Sequence, residues 1–336
     1  MFKKIAIKTG VLTTVFILAV IVSSYVTNRG NTDMSADMGG ATLPRISFMT
    51  EGYEVNSLPG YKSDMTLTSM RDTLTPVTNN QLDMNIAKYD NQIQKVYWQV
   101  YTLNGKKCIQ EGTIKDVQDT VTLNFRNTKI LKEERILKVT LYLDNQNIYF
   151  YTRIKNSADC NYKANLDFAN NFHSAALEGQ GDKIESYLET DTDSDADSST
   201  YQEVTLASTQ AQVLWGSLAP QVSGNVYWEI KECNENYTSL VLKYQVKCAG
   251  DTDYADRLYS VKEFFRIRTG EDAQQYLLDY DRTMNQRFDG KTTALNQKGV
   301  LVGIAPTELE YETNTDGTIV AFIEDNQLWH YDKKAD

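Results

Sequence analysis

Residues 95–114 read KVYWQVYTLNGKKCIQEGTI, and this stretch decides the fold. In its first half, apolar residues alternate with tyrosine and glutamine, which is the period of a β-strand with one buried face. The dipeptide Asn104-Gly105 then favours a tight type I′ turn, because both residues tolerate a positive φ. The segment CIQEGTI follows as the returning strand. The stretch therefore predicts a β-hairpin that turns Val96, Trp98 and Val100 into a core.

The same alternation continues in the neighbouring segments. TVTLNF, ILKVTLYL and IYFYTRI, which begin at residues 120, 136 and 148, place apolar residues at every second position. Turn-forming residues separate these runs at intervals of roughly ten residues. A series of short alternating strands is typical of an antiparallel sandwich. We therefore predict a β-sandwich domain over residues 44–157.

This predicted sandwich resembles an immunoglobulin or fibronectin type III module. The matching features are Trp98 in the centre of a third strand and two late strands at 135–143 and 147–154. The linking disulfide of antibody domains is absent from the pattern. The resemblance implies a module that presents a surface or acts as a spacer, and it implies no chemistry.

Residues 163–189 change to a helical period, with apolar residues three and four positions apart in ANLDFANNFHSAALEG and DKIESYLET. An acidic loop over residues 190–200 follows. Strand-like runs then resume in EVTLAS, QVLWGSL, NVYWEIKEC, SLVLKYQVKC, RLYSVKEFFRIR and QQYLLDY. This order predicts an α+β domain over residues 158–295, with one or two helices packed on an antiparallel sheet.

The C-terminal segment, residues 296–336, ends in DGTIVAFIEDNQLWHYD. This run contains an Asp-Gly turn and two apolar strands, and it resembles half a blade of a TolB/WD40-like β-propeller. One blade cannot bury its faces alone. Two interpretations stay open. Either the hairpin docks onto the second domain, or the 336 residues are the N-terminal part of a longer protein.

The N-terminus has the pattern of a membrane anchor. Three lysines precede the uncharged apolar stretch Thr9–Asn28, and Arg29 follows it. About 20 residues cross a bilayer as a helix, and the basic head favours a cytoplasmic N-terminus. We predict a cytoplasmic head and transmembrane helix over residues 1–29, a linker over 30–43 and an extracytoplasmic remainder. A cleaved signal peptide is the alternative, although no A-x-A cleavage site is present.

The predicted fold class of the whole chain is therefore mainly β with some α. It consists of an N-terminal transmembrane helix, an antiparallel β-sandwich domain, and an α+β domain with an antiparallel sheet. A short basic N-terminal segment followed by a single apolar stretch is typical of a bacterial cell-membrane protein that crosses the membrane once.

The net charge of the chain restricts the classes of molecule that it can bind. The formal net charge is −11, and residues 1–28 hold three lysines and no acidic residue, so the remainder carries −14. Nucleic acids and anionic lipids would repel such a surface. Cations, basic proteins and neutral glycans remain compatible with it.

The four cysteines are Cys108, Cys160, Cys233 and Cys248. In the hairpin predicted from NVYWEIKEC and SLVLKYQVKC, Cys233 lies beside the turn and Cys248 at the far end. At about 3.3 Å per residue this separates them by more than roughly 20 Å, which is too far for a disulfide. Free buried thiols are therefore expected. Only two histidines are present, which argues against a histidine-rich metal site.

Tyrosines supply the candidate binding surface. Tyr97 and Tyr101 share one face of a predicted strand, and Tyr149 and Tyr151 share one face of another. Such rings could stack on a sugar or a peptide. Cross-strand stabilisation of the sheet is the competing interpretation.

Two acidic groups are weaker candidates. Asp191, Asp193, Asp195 and Asp197 alternate like the ligands of a calcium loop. Position six of that pattern is Ala196 instead of glycine and position twelve is Gln202 instead of glutamate, which favours a solvated loop. The carboxylates of Asp279, Asp281 and Asp289 could act as acid and base if they faced each other across a cleft.

No catalytic constellation or cofactor motif is recognisable, so no enzyme activity and no cofactor are predicted. We expect a membrane-anchored extracytoplasmic interaction or scaffold protein that binds an envelope polymer or a partner protein. Two alternatives remain: an envelope enzyme that acts on glycan or peptide with carboxylates, and a regulatory partner of another membrane protein.

Overall fold

The computed structural model describes residues 2–27, 42–126, 131–159, 161–189, 201–250, 257–287, 295–296, 299–300, 311–324 and 327–332. The described chain is mainly β with some helix, as the alternation predicts. It divides into two compact units. One unit holds residues 40–287, and the other holds residues 1–39 and 288–336.

The first part of the 40–287 unit contains nine strands. These are β1 Arg45–Thr50, β2 Tyr53–Pro59, β3 Leu74–Val77, β4 Gln81–Ala87, β5 Ile93–Thr102, β6 Cys108–Ile114, β7 Thr120–Asn124, β8 Arg135–Leu143 and β9 Asn147–Asn156. Strands β3, β9, β8, β5 and β6 form, in that order, a five-stranded sheet. Strands β2, β1, β4 and β7 form one end of a second, nine-stranded sheet. Within these groups only β3 and β9 pair in parallel.

The inward residues of these two sheets share one apolar core. Val96, Trp98 and Val100 on β5 are buried, which confirms the alternation predicted from residues 95–114. The Trp98 ring packs edge-on against Phe125, with the ring centroids 5.3 Å apart. Gly112 lies opposite Trp98 on β6, and a Cβ atom there would lie 2.5 Å from the indole. A glycine is therefore required for the indole to lie across β6.

The second part of this unit contains two helices and five strands. These are α2 Tyr162–Leu177, β10 Glu203–Thr205, α3 Gln210–Val213, β11 Pro220–Cys233, β12 Thr238–Cys248, β13 Leu258–Thr269 and β14 Gln275–Gln286. The strands continue the nine-stranded sheet in the antiparallel order β10-β14-β13-β12-β11. Helix α2 packs on the inner face of this sheet, where the rings of Phe172 and Phe265 meet at 5.9 Å.

Two local predictions in this part are wrong. The segment QVLWGSL forms helix α3 and a turn instead of a strand. Thr209 and Gln212 cap each other reciprocally at the start of α3, and this local hydrogen bonding selects the helix. Residues 181–187 form two 3-10 turns instead of an α-helix, because α2 has already ended before Gly179, whose φ is +68°.

The nine-stranded sheet is joined at one narrow place. Strands β2 and β11 run parallel and pair only through Val55 and Trp228. Beside this pair, the buried Asn56 amide donates to the Leu74 carbonyl oxygen at 3.0 Å and accepts from the Ile230 N–H at 2.8 Å. One side chain thus ties β2 to β3 and to β11.

The cysteine predictions are partly wrong. Cys233 pairs with Thr238 and Cys248 with Pro220, so the two cysteines lie at opposite ends of the hairpin as predicted. Cys233 is nevertheless disulfide-bonded, which corrects the expectation of a free thiol. Cys108 is a free thiol but is exposed instead of buried.

Among its described residues, the other unit contains helix α1 and five short strands. These are α1 Phe2–Thr27, β15 Leu295–Asn296, β16 Gly299–Val300, β17 Tyr311–Thr313, β18 Ile319–Glu324 and β19 Gln327–Asp332. Across the described residues, no helix combines the length and the apolarity that crossing a membrane requires. Strands β17, β18 and β19 form a three-stranded antiparallel sheet, one strand more than the predicted hairpin. The rings of Phe322 and Trp329 stack on it at 6.4 Å.

Candidate functional site

The four tyrosines singled out from the sequence lie together on one face. In the five-stranded sheet, Tyr97 is opposite Thr140, and Thr140 is opposite Tyr149. Tyr101 lies four residues after Tyr97 on β5, and Tyr151 lies two residues after Tyr149 on β9. Because alternate residues of a strand share a face, all four side chains project from the outer face of this sheet. We call this surface the tyrosine face.

Two of these rings are held by polar neighbours. The Tyr97 hydroxyl donates to Glu111 Oε2 at 2.5 Å. That hydrogen bond, together with burial, raises the pKa of Tyr97 well above its usual range. Burial also raises the pKa of Tyr101, helped by the nearby Cys108. Both phenols are therefore neutral at physiological pH and present half-buried, oriented rings.

A segment of the chain crosses the tyrosine face. Residues 61–71, which we call the strap, begin with a pair of backbone hydrogen bonds between Tyr61 and Tyr149, both 2.9 Å long. The Asp64 carboxylate then accepts from the Tyr151 hydroxyl at 2.7 Å and from Lys138 Nζ at 2.5 Å. Tyr151 is only 6% exposed as a result. The strap therefore uses Tyr151 for packing and leaves Tyr97, Tyr101 and Tyr149 partly exposed.

The charge of Asp64 stabilises the strap. Burial by itself raises the pKa of this carboxyl, but the hydrogen bonds from Lys138 and Tyr151 lower it below its ordinary value overall. Asp64 is consequently ionised at neutral pH. Lys138 also lies 5.1 Å from the centre of the Tyr149 ring. The cation thus links the strap to a partly exposed tyrosine.

The predicted carboxylates lie elsewhere. Asp279 and Asp281 project from the outer face of β14, two residues apart on the same strand. Burial raises the pKa of Asp281, and Glu203 and Asp279 add to the effect. The two groups therefore lie side by side and do not face each other across a cleft.

The remaining acidic candidates fall in other segments of the chain. Asp289 and the acidic loop with Asp191, Asp193, Asp195 and Asp197 lie outside the described residues. Across the part of the chain that the structure does describe, no three or more His, Cys, Asp or Glu side chains are grouped so that they could hold a metal ion.

Sequence reasoning missed a groove between β2 and β11. It has a volume of about 240 Å³, and Glu54 and Ser57 line it from β2 and residues 225–228 from β11. The dipeptide Gly224-Asn225 inside an otherwise regular strand was the available signal, because glycine in a strand often marks a bulge. We call this site the β11 groove.

No protein-family model matches the chain, and no curated protein matches it in sequence. The tyrosine face and the β11 groove are therefore the two surfaces from which a function can be inferred.

Proposed function

We propose that this protein is a membrane-anchored, extracytoplasmic interaction protein that binds a neutral envelope glycan through the tyrosine face. The observation that carries the proposal is the placement of Tyr97, Tyr101 and Tyr149 on one sheet face with their rings partly exposed. Apolar ring faces stack on sugar rings, and the phenol oxygens supply hydrogen bonds. The net charge of −14 beyond residue 28 favours a neutral polymer over an anionic one.

Helix α1 supports the membrane anchor. Eight of its large apolar side chains between Leu12 and Val22 are at least 50% exposed. Four of them are consecutive, so they surround the axis of a helix with 3.6 residues per turn. A helix that is apolar on all sides is suited to a lipid environment. Within α1 the structure describes the side chains of residues 8–10 and 12–23 only, which are fewer than the roughly 20 residues that a membrane span needs. The uncharged sequence from Thr9 to Asn28 has that length.

The bonded Cys233 supports an extracytoplasmic location. Disulfides persist in oxidising compartments and are rare in the cytosol. The three lysines that precede the uncharged stretch Thr9–Asn28 favour the same topology, with the N-terminus in the cytoplasm and the β-rich unit outside.

The strand arrangement supports the immunoglobulin-like part of the proposal. Strands β1, β4 and β7 lie in one sheet, and β5, β8 and β9 lie in the other. This corresponds to strands A, B and E against C, F and G of an immunoglobulin sandwich. Trp98, buried on β5, occupies the strand on which such modules carry their core tryptophan.

The topology is tested with the native thiols. We expect a membrane-impermeant maleimide to label Cys108 in intact cells, because this thiol is exposed whereas Cys248 is buried and Cys233 is bonded. The C108S variant supplies the background. Labelling that requires cell lysis would place the β-rich unit in the cytoplasm and reject the proposal.

Binding is tested by co-sedimentation of the full-length protein, in detergent, with protein-free cell-wall polymer. We expect the Y97A/Y101A double variant to lose about tenfold in retention, since each stacked ring contributes about 0.5–1.5 kcal/mol beyond area burial. Y276A is the matched control, because Tyr276 is also exposed but lies on β14. Equal retention of both variants, or no retention of the wild type, would refute the glycan-binding role.

A further inference from the structure

The N-terminal half of β11 is an open sheet edge. On one side it pairs with β12, from Pro220 opposite Cys248 to Tyr227 opposite Lys243. On the other side, β11 meets β2 only where Trp228 lies next to Val55. Among the described residues, no strand pairs with the second edge of residues 220–227. Residues 221–227 are all exposed.

A wide bulge lies at the centre of this edge. The register passes from Ser223 opposite Gln245 to Tyr227 opposite Lys243, so three residues of β11 face Tyr244 alone. Gly224 takes a φ of +80°, a left-handed conformation that glycine adopts without steric cost. Bulges concentrate next to functional sites, where they redirect side chains. Here the bulge turns residues 225–227 towards the β11 groove.

The walls of the groove are held in place before any partner arrives. Arg45 Nη2 donates to Ser57 Oγ at 3.2 Å, and its guanidinium carbon lies 5.9 Å from the centre of the Tyr227 ring. Ser47 donates to Glu54 Oε1 at 2.5 Å. Little side-chain entropy is therefore lost when a ligand binds there.

The composition of the edge is unusual for an unpaired strand. Proteins commonly protect such edges with lysine or other charged residues. The segment QVSGNVY, residues 221–227, contains no charged residue. Val222 and Val226 are 40% and 41% exposed, and Tyr227 is 38% exposed. The edge thus offers backbone groups and apolar side chains together.

We infer that an extended, basic segment of a partner protein binds here by adding a strand to the open edge of β11. Main-chain hydrogen bonds supply affinity in this mode, and pockets for alternate side chains supply specificity. A lysine or arginine of the segment pairs with the exposed Glu54 carboxylate, and apolar residues on either side of it cover Val222 and Val226. The charge of −14 beyond residue 28 steers a basic partner towards this surface. The site is independent of the tyrosine face.

The test uses the full-length protein in detergent and a display library of random eight-residue peptides. We expect selected peptides to alternate apolar residues with lysine or arginine. V226K places a positive charge inside the groove and should remove this enrichment, whereas V226E should retain it. Recovery of the same peptides on wild type and V226K, or selection without basic residues, would overturn the inference.

A selected peptide then separates strand addition from simple charge attraction. Binding, measured by fluorescence anisotropy, should fall at least tenfold when alternate peptide amides are N-methylated, because these can no longer donate hydrogen bonds. E54Q should weaken binding more than E51Q, which removes an equal charge from the exposed β1–β2 turn. Equal effects of the two variants, or no effect of methylation, would refute strand addition.

A second copy of the chain is the competing occupant. Self-pairing of β11 edges would give a concentration-dependent dimer in light scattering that V226K abolishes. That outcome would identify a second copy of the chain, instead of a partner protein, as the occupant of the edge and would overturn the inference. A persistent monomer together with peptide binding supports it.

Discussion

Glu263 on β13 and Arg282 on β14 lie directly opposite each other in the antiparallel register, and neither side chain has any exposed surface. Arg282 donates through Nη1 to the Val213 carbonyl oxygen at 2.8 Å and through Nη2 to the Gln212 carbonyl oxygen at 2.6 Å. Glu263 accepts from Tyr244. Two opposite charges are therefore buried near each other in the core beneath α2 and α3, where Arg282 lowers the pKa of Glu263 by Coulombic attraction and not through a direct ion pair.

Removal of one of these buried charges should strongly destabilise the folded protein. We expect R282M to lower the free energy of unfolding by about 3–5 kcal/mol. The Gln212 and Val213 carbonyl oxygens would lose their charged donor, and Glu263 would lose the attraction of a nearby buried cation. Urea denaturation followed by tryptophan fluorescence measures the change. Lys262 is the exposed neighbour of Glu263 on β13, so K262M should change the free energy of unfolding by less than about 0.5 kcal/mol. Similar losses in both variants would show that the buried Arg282 side chain does not stabilise the fold.

Acid should destabilise the protein through the same carboxyl. Burial alone raises the pKa of Glu263, but His173, Arg282 and Tyr244 together hold it below its ordinary value of 4.5. The unfolded chain therefore binds the proton more tightly, and this contribution to stability is complete above pH 4.5 and is lost as the pH falls through the lowered pKa.

The two histidines make this pH dependence testable. His173 Nδ1 lies 3.1 Å from Glu263 Oε1. H173Q should raise the pKa of Glu263 and move the onset of acid unfolding to higher pH. H330Q changes the other, exposed histidine and should leave the onset where it is. Thermal melts between pH 3 and 6 compare the variants, and coincident curves would contradict the assignment.

Asn56 should matter more than a polar residue in a strand usually does. It is fully buried, has a φ of +53°, and makes hydrogen bonds to β3 and β11. We expect N56A to lower the free energy of unfolding by about 4–5 kcal/mol, from roughly 1 kcal/mol for each of its three hydrogen bonds and about 1–2 kcal/mol for alanine in the left-handed region.

Asn79 supplies the control for that substitution. Its φ is +52°, but its side chain is exposed. N79A should therefore lose only the conformational part, about 1–2 kcal/mol. Chemical denaturation distinguishes the two, and equal losses would mean that the Asn56 hydrogen bonds contribute nothing.

The strap should open when Asp64 is removed. The Asp64 side chain is 53% exposed, so solvent screens its ion pair with Lys138, and D64A should increase cleavage of the strap severalfold. Trypsin reports this directly, because Lys62 and Arg71 within the strap are exposed. D144N, which alters a carboxylate on the β8–β9 turn, should leave the rate unchanged. An unchanged rate in D64A would show that Asp64 does not hold the strap.

Local pattern was enough to predict the five strands between Ile93 and Asn156. Residues 95–114 form the predicted hairpin because alternation and turn-forming residues act within a few positions. The predicted type I′ turn is wrong, since Gly105 has a φ of +71° but Asn104 does not have a positive φ. The same local alternation predicted that Tyr97 and Tyr101 share one face of their strand and that Tyr149 and Tyr151 share one face of theirs. It could not show that residues 61–71 cover Tyr151, since that contact joins positions 87 residues apart.

The β11 groove and the buried charges of Glu263 and Arg282 were missed for a related reason. Alternation places Glu263 in phase with Val261 and Phe265, and Arg282 in phase with Tyr280 and Met284, so both positions face inward. Their charge argued for exposure, and the burial of these charges depends on contacts with α2 and α3, which are distant in sequence. The Val55–Trp228 contact joins segments that the sequence assigned to different domains. Strand β3 was also missed, because Pro76 argues against a strand unless the N–H it lacks faces an edge.

The narrow junction at Val55 and Trp228 also sets an order of events during synthesis. Strand β9 ends at Asn156, whereas β11 begins at Pro220. At roughly 5–20 residues per second, a ribosome needs on the order of seconds to make the residues between them. Throughout that interval β2 is an uncovered edge that another nascent chain can join. Slow codons between residues 157 and 220 should therefore lower the yield of native protein without any change in its sequence.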